Sequence, residues 1–437
     1  MGRLLWCGRL LAWVALAFTA GAKAELRIEI SRGAERAIPV AIVPLGWQGG
    51  GARPPADVAA VVAADLASTG RFAPLPAQDM PQRPTMGTAI DFPDWKMLGV
   101  EAVVVGQLVE SAPGEFTIQF ELFDVFRGEQ LLGYRLPAAA ANLRLGAHRV
   151  ADMVYEKLTG VAGIFSTRIA YISVIKRSGK SDLYRLVVAD ADGENAQVMV
   201  ESTEPIMSPS WSPDGRKLAY VSFENKTAEI YVQTLRSGGR QKISARPGVN
   251  GAPSWSPDGR MLALTLSRGD GNLDIYTLDI ANQVLTRLTD QPSIDTEANW
   301  SPDGRMIYFT SDRAGGPQVY RVPAGGGAAQ RVTFEGNYNA RPRLSADGTR
   351  MAVVHNDRGN YRIAVVGLDR AFTQVLTDGR LDESPSFASN GETLIYATRE
   401  GSRGVLATVS ADGRIRQRIS ALEGDVREPA WSPFRTN

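Results

Sequence analysis

The 437-residue chain has one cysteine, Cys7, and two histidines, His148 and His355. That scarcity excludes a disulfide framework and leaves a zinc site without its usual ligands. No Gly-x-Ser-x-Gly pentapeptide is present, so the nucleophile elbow of a serine hydrolase is missing. Basic and acidic residues balance at 48 and 47 with no basic run, which argues against nucleic acid as a partner. The apolar run Leu10-Leu-Ala-Trp-Val-Ala-Leu-Ala-Phe18 falls short of the about 20 residues needed to span a bilayer, and no later stretch is longer. Gly46-Trp-Gln-Gly-Gly-Gly-Ala-Arg53 lacks the Gly-Lys-Ser/Thr ending of a phosphate cradle and reads as a plain loop. Asp190-Ala-Asp-Gly193 opens like a calcium loop, but the later ligands are absent, so it reads as a hairpin turn. No catalytic set, metal site or cofactor is expected.

The short apolar run instead marks a secretory signal over residues 1–24. Arg3 and Arg9 precede it, and Ala22-Lys-Ala24 follows as a small-x-small cleavage site. Removing this segment removes three positive charges, taking the net from +1 to −2, and with them the only cysteine. The mature chain is expected to be soluble, without direct membrane insertion, and to be stabilised by burial alone.

What the chain has is a repeat. Trp211-Ser-Pro-Asp-Gly-Arg216 returns at Trp255 and at Trp300, more loosely at Leu344 and Phe387, and in truncated form at Trp431-Ser-Pro-Phe434. The steps are 44, 45, 44, 43 and 44 residues. In each copy, proline and aspartate suit the middle of a tight turn, and glycine takes the left-handed position that closes a hairpin. The turn joins the aromatic-ended strand to an alternating one, Lys217–Ser222 in the first copy, with two further strands behind it. Four short antiparallel strands per period describe a propeller blade. The first set of strands, from Arg168, lacks a Trp-Ser-Pro motif ahead of it, and the Trp431 copy has nothing after it. Together they make one composite blade, so six blades are expected, closed by the last strand with Trp431 as the clasp.

Ahead of the repeat, Glu25-Leu-Arg-Ile-Glu-Ile30 alternates as an edge strand or an arm that pairs with a partner's sheet. Ala37–Val43 reads as a buried strand, residues 56–69 and 142–159 as helices, and residues 91–98 as a short helix. Three strands form a meander between residues 101 and 136. The organisation predicted is a signal (1–24), an arm (25–36), an α/β domain with two helices on a mixed sheet (37–160), a linker (161–167) and a six-bladed β-propeller (168–437). The loops leading into the innermost strands ring the channel mouth opposite the Ser-Pro-Asp-Gly hairpins. They mix acids, amides and small residues and suit docking of a protein or peptide.

This order of parts resembles the TolB family, the periplasmic components of the Tol-Pal system. Asn250-Gly-Ala-Pro253, Asp295-Thr-Glu297, Gly315-Gly-Pro-Gln-Val-Tyr320 and Leu381-Asp-Glu-Ser-Pro385 carry the same resemblance. It implies a non-enzymatic, monomeric periplasmic adaptor that supports outer-membrane integrity and constriction at division. The peptidoglycan-associated lipoprotein Pal would bind the mouth at Asn250, Ala252, Thr296 and Glu297. Met207, Asn339, Asp382 and Glu383 complete that surface. Val249 stands where the family can have histidine. TolA would bind the arm through Glu25, Leu26, Arg27, Ile28, Glu29, Ile30 and Gly33. Further outer-membrane proteins are additional candidate partners. Two other readings stay open: a scaffold for a different envelope protein, and a hydrolase with an unrecognised site.

Overall fold

The computed structural model describes residues 28–30, 37–50, 54–267, 269, 271–419 and 422–435. The signal segment and arm residues Glu25, Leu26, Arg27 and Gly33 lie outside the described residues. No described helix is long and apolar enough to cross a membrane.

The N-terminal domain is built on one mixed sheet. Ile38–Ile42 pairs in parallel with Phe72–Pro74 on one side and Ala102–Ala112 on the other, and Glu115–Asp124 and Glu129–Ala139 continue it antiparallel. Helices α1 (Val58–Ser68) and α3 (Leu143–Thr159) cover one face. Their apolar stripes, Val58, Val62 and Leu66 against Ala147, Val150 and Val154, share a core with Val40, Ile42 and Ile118. Asp57 caps α1 by accepting from the Ala60 amide at 3.1 Å, and Gly160 ends α3 in the left-handed region at φ 74°. The short helix α2 (Phe92–Met97) lies on the opposite face, where Trp95 is fully buried against Val43, Val103 and Val125. The expected loop at Gly46 is in part a strand. Gly46–Gln48 pairs in parallel with residues 107–109, and the Trp47 ring packs 6.0 Å from that of Phe116. An aromatic with a core to cover outweighs the surrounding glycines.

Six four-stranded blades follow. Blade 1 is composite: Arg168–Ile175, Leu183–Asp190 and Gln197–Ser202 are completed by Asp425–Trp431, which pairs with Arg168–Ile175. Blades 2 to 6 begin with innermost strands Ile206–Trp211, Asn250–Trp255, Asp295–Trp300, Asn339–Leu344 and Glu383–Phe387, each followed in order by its other three strands. Blade 6 has a fifth strand. Ile28–Ile30 of the arm adds antiparallel to its outer edge, Ile415–Ile419. Every blade is apolar on both faces, and one buried cluster lies between each neighbouring pair.

The recurring motif explains the ring contacts. The indole N–H groups of Trp211, Trp255 and Trp300 donate to the carbonyls of Ala430, Ser210 and Ser254 on the preceding blade, at 3.0–3.2 Å. In the hairpin, Ser212 Oγ donates to Asp214 at 2.6 Å, and the Asp214 carboxylate accepts from the Arg216 amide; residues 256–260 and 301–305 repeat this. A Cβ on Gly259 would lie 3.3 Å from Pro213 of the previous blade, so motif glycine and motif proline also meet across the ring.

Candidate binding site at the propeller mouth

The innermost strands do not run straight. Each slips register by one bulge, at a residue held in the left-handed region: Ser208, Ala252, Glu297, Arg341, Ser384 and Glu428, with φ between 45° and 58°. Non-glycine residues occupy this region at a cost, and bulges re-aim side chains. Here the side chains line the channel. In five blades the next residue is proline (Pro209, Pro253, Pro342, Pro385, Pro429), and in blade 4 it is Ala298. This proline repeat is the sequence signal for the bulge, and it lies ahead of the Trp-Ser-Pro-Asp-Gly-Arg motif.

The bulges carry the channel's charge. Arg341 donates to Glu297 at 2.5 Å and also bonds Ser384. Glu428 accepts from the Ser208 amide. Burial opposes the Arg341 charge, but Glu297 and Glu428 outweigh it and hold its pKa above the ordinary value. Burial lowers that of Arg343, whose Nη1 donates to the Pro342 carbonyl at 2.8 Å. These groups and the motif tryptophans enclose about 300 Å³.

Above the bulges of blades 3 to 6, one residue per loop serves as an internal brace. Asn250 is buried and bonds Ser244 Oγ (2.6 Å), the Arg246 amide (3.1 Å) and the Arg246 carbonyl (2.7 Å). Asn339 bonds Gln318 (3.0 Å), the Glu335 carbonyl (2.8 Å) and His355 Nδ1 (2.9 Å). Asp382 accepts from Thr398 Oγ1 (2.5 Å) and the Gly379 amide (3.1 Å). Asp295 takes both nitrogen–oxygen contacts from Arg313 Nη2, at 2.8 and 3.0 Å. Immediately before each brace stands an apolar residue. Val249, Ile294 and Leu381 are exposed at 43%, 50% and 36%, and Tyr338 packs edge-on to Tyr361. The result is an apolar collar on blades 3 to 6.

The predicted residues divide by position. Met207, Asn250, Ala252, Thr296 and Glu297 line one groove of about 460 Å³ across blades 2, 3 and 4, together with Val249 and Phe223. Asn339, Asp382 and Glu383 sit across the mouth on blades 5 and 6. Asn250, Asn339 and Asp382 are each about 1% exposed, so their contribution is to hold loop shape. Thr296, whose hydroxyl is 3.3 Å from that of Thr265, is partly exposed, as are Met207, Ala252, Glu297 and Glu383. Among the described residues, the histidines' Nδ1 partners are not nucleophiles: His355 is bonded to Asn339, and His148 lies in α3 against Asp65.

The comparisons agree with this architecture. The chain matches the family profile of the TolB beta propeller domain over residues 155–435 and that of the TolB amino-terminal domain over residues 26–131. The Tol-Pal system protein TolB of Xanthomonas campestris pv. campestris (strain B100) is 50% identical over 413 residues, 94% of each chain. The protein of that name in Xanthomonas euvesicatoria pv. vesicatoria (strain 85-10) is 48% identical over the same coverage. The crystal structure of TolB from Acinetobacter baumannii superposes with a TM-score of 0.85 at 41% identity, over 94% of this chain and 100% of that one. The chain belongs to the TolB family.

Proposed function

We propose that this protein is a non-enzymatic adaptor of the Tol-Pal system in the periplasm, with two docking elements. The channel mouth receives Pal, and the N-terminal arm receives TolA. The observation that carries the first assignment is the groove across blades 2, 3 and 4. It gathers Met207, Ala252, Thr296 and Glu297 beside exposed Val249, on loops braced from within by Asn250 and Asp295. Rigid loops reduce the ordering cost of binding, and an apolar collar around a charged channel offers both contact area and orientation. Val249 gives an apolar contact at a position where histidine would give a polar one.

The second assignment rests on the arm's pairing. Ile28–Ile30 extends the edge of blade 6 through its backbone. Three paired residues are a short attachment, suited to exchange with a partner's strand. Outer-membrane integrity and constriction at division follow as the roles of a link between Pal and TolA.

Calorimetric titration of the mature chain with the soluble domain of Pal tests the mouth. Saturable binding is expected, and Thr296→Arg, which places a long cation in the groove without touching the core, should abolish it. Equal binding by this variant, with an unchanged melting temperature, would remove the groove from the site.

A further inference from the structure

The contact between the two domains contains a buried titratable cluster that the docking reading does not use. His148 of α3 is 1% exposed. Its Nδ1 lies 2.7 Å from Asp65 Oδ2 of α1, within its own domain. Its Nε2 points the other way, 3.7 Å from Asp192 Oδ2 in the blade 1 hairpin, and has no hydrogen-bond partner among the described residues. Arg144, one turn earlier on α3, also bonds Asp192.

We propose that His148 is a proton-operated latch that holds the N-terminal domain on the propeller, tight when the imidazole is protonated and loosened when it is neutral. A protonated ring has two donors, one for Asp65 and one aimed at Asp192 across the domain boundary. A neutral ring has one. With that proton kept on Nδ1 by Asp65, the Nε2 lone pair faces a carboxylate, buried and unpaired, and the contact becomes repulsive. Arg144 keeps a residual tie, so the neutral state is loosened rather than broken.

The surrounding charges are accounted for. Asp152 on α3 is committed to the amides of Phe165 and Ser166, at 2.7 and 3.1 Å. Asp190 is held by Asn195 and by Arg435 of the C-terminal tail. Glu194 lines the adjoining cleft. A metal ion fits less well, because Arg144 already places a cation on the same Asp192 oxygen and Asp65 faces the other ring nitrogen.

The sign follows from the contacts. Burial works against charge on the imidazole, but the Asp65 hydrogen bond and the Asp65 and Asp192 charges outweigh it, so His148 titrates above 6.5. Burial likewise raises the Asp65 carboxyl to about 6, against the opposing pull of His148. Both groups hold their protons more tightly in the folded protein than in free solution, and the Asp192 charge is the part of the His148 shift that crosses the domain boundary. The latch is therefore closed where His148 is protonated and weakens as pH rises through the raised His148 value, by at most about tenfold in the docked ratio per pH unit for one proton.

With only two histidines, proton NMR reads the latch directly, and His355→Gln assigns the signals. His148 should titrate above 6.5 and move down toward it in Asp192→Asn, which leaves the Asp65–His148 pair intact. Spin labels at Met97→Cys and Phe334→Cys, one on each domain, should report a narrow separation at pH 5.5 that broadens by pH 8, and His148→Gln should remove that pH dependence. A His148 midpoint at or below 6.5, a midpoint unmoved by Asp192→Asn, or a label separation independent of pH in the parent would each overturn the latch. So would zinc closing the domains at pH 8 with reversal by EDTA, which would make the cluster a metal site.

Discussion

The indole N–H of Trp431 donates to the hydroxyl of Thr167 at 2.8 Å, joining residues 264 positions apart at the seam of the propeller. The Trp431 amide donates to Ser386 Oγ at 3.0 Å on the other side of the seam. One residue near the C-terminus, through its indole and its backbone amide, thus ties blade 1 to blade 6. Trp431→Ala should destabilise the protein by about 3–5 kcal/mol, as truncation of a buried aromatic does. Trp431→Phe should cost about 1 kcal/mol, through the lost indole bond, since the Thr167 hydroxyl keeps its donation to the Ile164 carbonyl. Urea unfolding followed by circular dichroism measures both, and equal midpoints for Trp431→Ala and the parent would show that the ring is closed by other contacts.

Asn250 separates a contact role from a bracing role. Its amide satisfies groups at Ser244, Arg246 and Gly248, and Asn250→Ala would leave several of them unpaired inside the loop. A loss of about 1–3 kcal/mol is expected, together with weaker Pal binding. Asn250→Asp, which retains the acceptor toward Ser244 and the Arg246 amide, should fall between. Weaker binding with parental stability would instead make Asn250 a contact residue.

The fold was largely legible because its signals are local and repeated. Five copies of one turn and a truncated sixth copy of its motif fix the blade count, and a motif missing at one end and orphaned at the other fixes the closure. The site was less legible. Mouth loops could be located by counting from each tryptophan, yet which residue in a loop faces out depends on the bulge. That bulge turns on Ser208, Ala252, Glu297, Arg341, Ser384 and Glu428, residues with little in common except the proline that usually follows. Asn250, Asn339 and Asp382 look like surface polar residues in sequence; the structure buries them because each loop needs an internal acceptor. The pairing of His148 with Asp192 joins residues of different domains and has no sequence signature.

Glu229 should govern part of the acid limb of stability. It is buried, and it accepts from Lys242 at 2.8 Å, Tyr231 at 2.7 Å and Asn225 at 2.7 Å. Burial alone would raise its pKa, but these partners bring it down from 4.5 to about 2. A depressed carboxyl stabilises the fold above its unfolded value, and that contribution disappears as pH falls from 4.5 through 2. Glu229→Gln should therefore lower the melting temperature at pH 7 and flatten its decline in acid. A variant whose melting curve parallels that of the parent from pH 6 to pH 2.5 would assign the acid limb to other carboxylates.

The arm makes a position-resolved prediction. Ile28, Glu29 and Ile30 pair with Gln417, Arg416 and Ile415, while Arg403–Ser410 pairs with the opposite side of the same strand. In an antiparallel ladder, neighbouring amides point to opposite sides. Deleting residues 25–36 should therefore accelerate hydrogen exchange at alternate amides of residues 415–417 and leave the intervening one protected. The propeller should keep its melting temperature, since each blade retains four strands. Adding the periplasmic domain of TolA to the intact protein should produce the same alternating pattern if TolA draws the arm off the edge. It should leave exchange unchanged if TolA binds only the residues ahead of Ile28. Uniform acceleration along the whole strand after deletion would mean that the arm supports blade 6 itself, and the edge could not serve as a site of exchange.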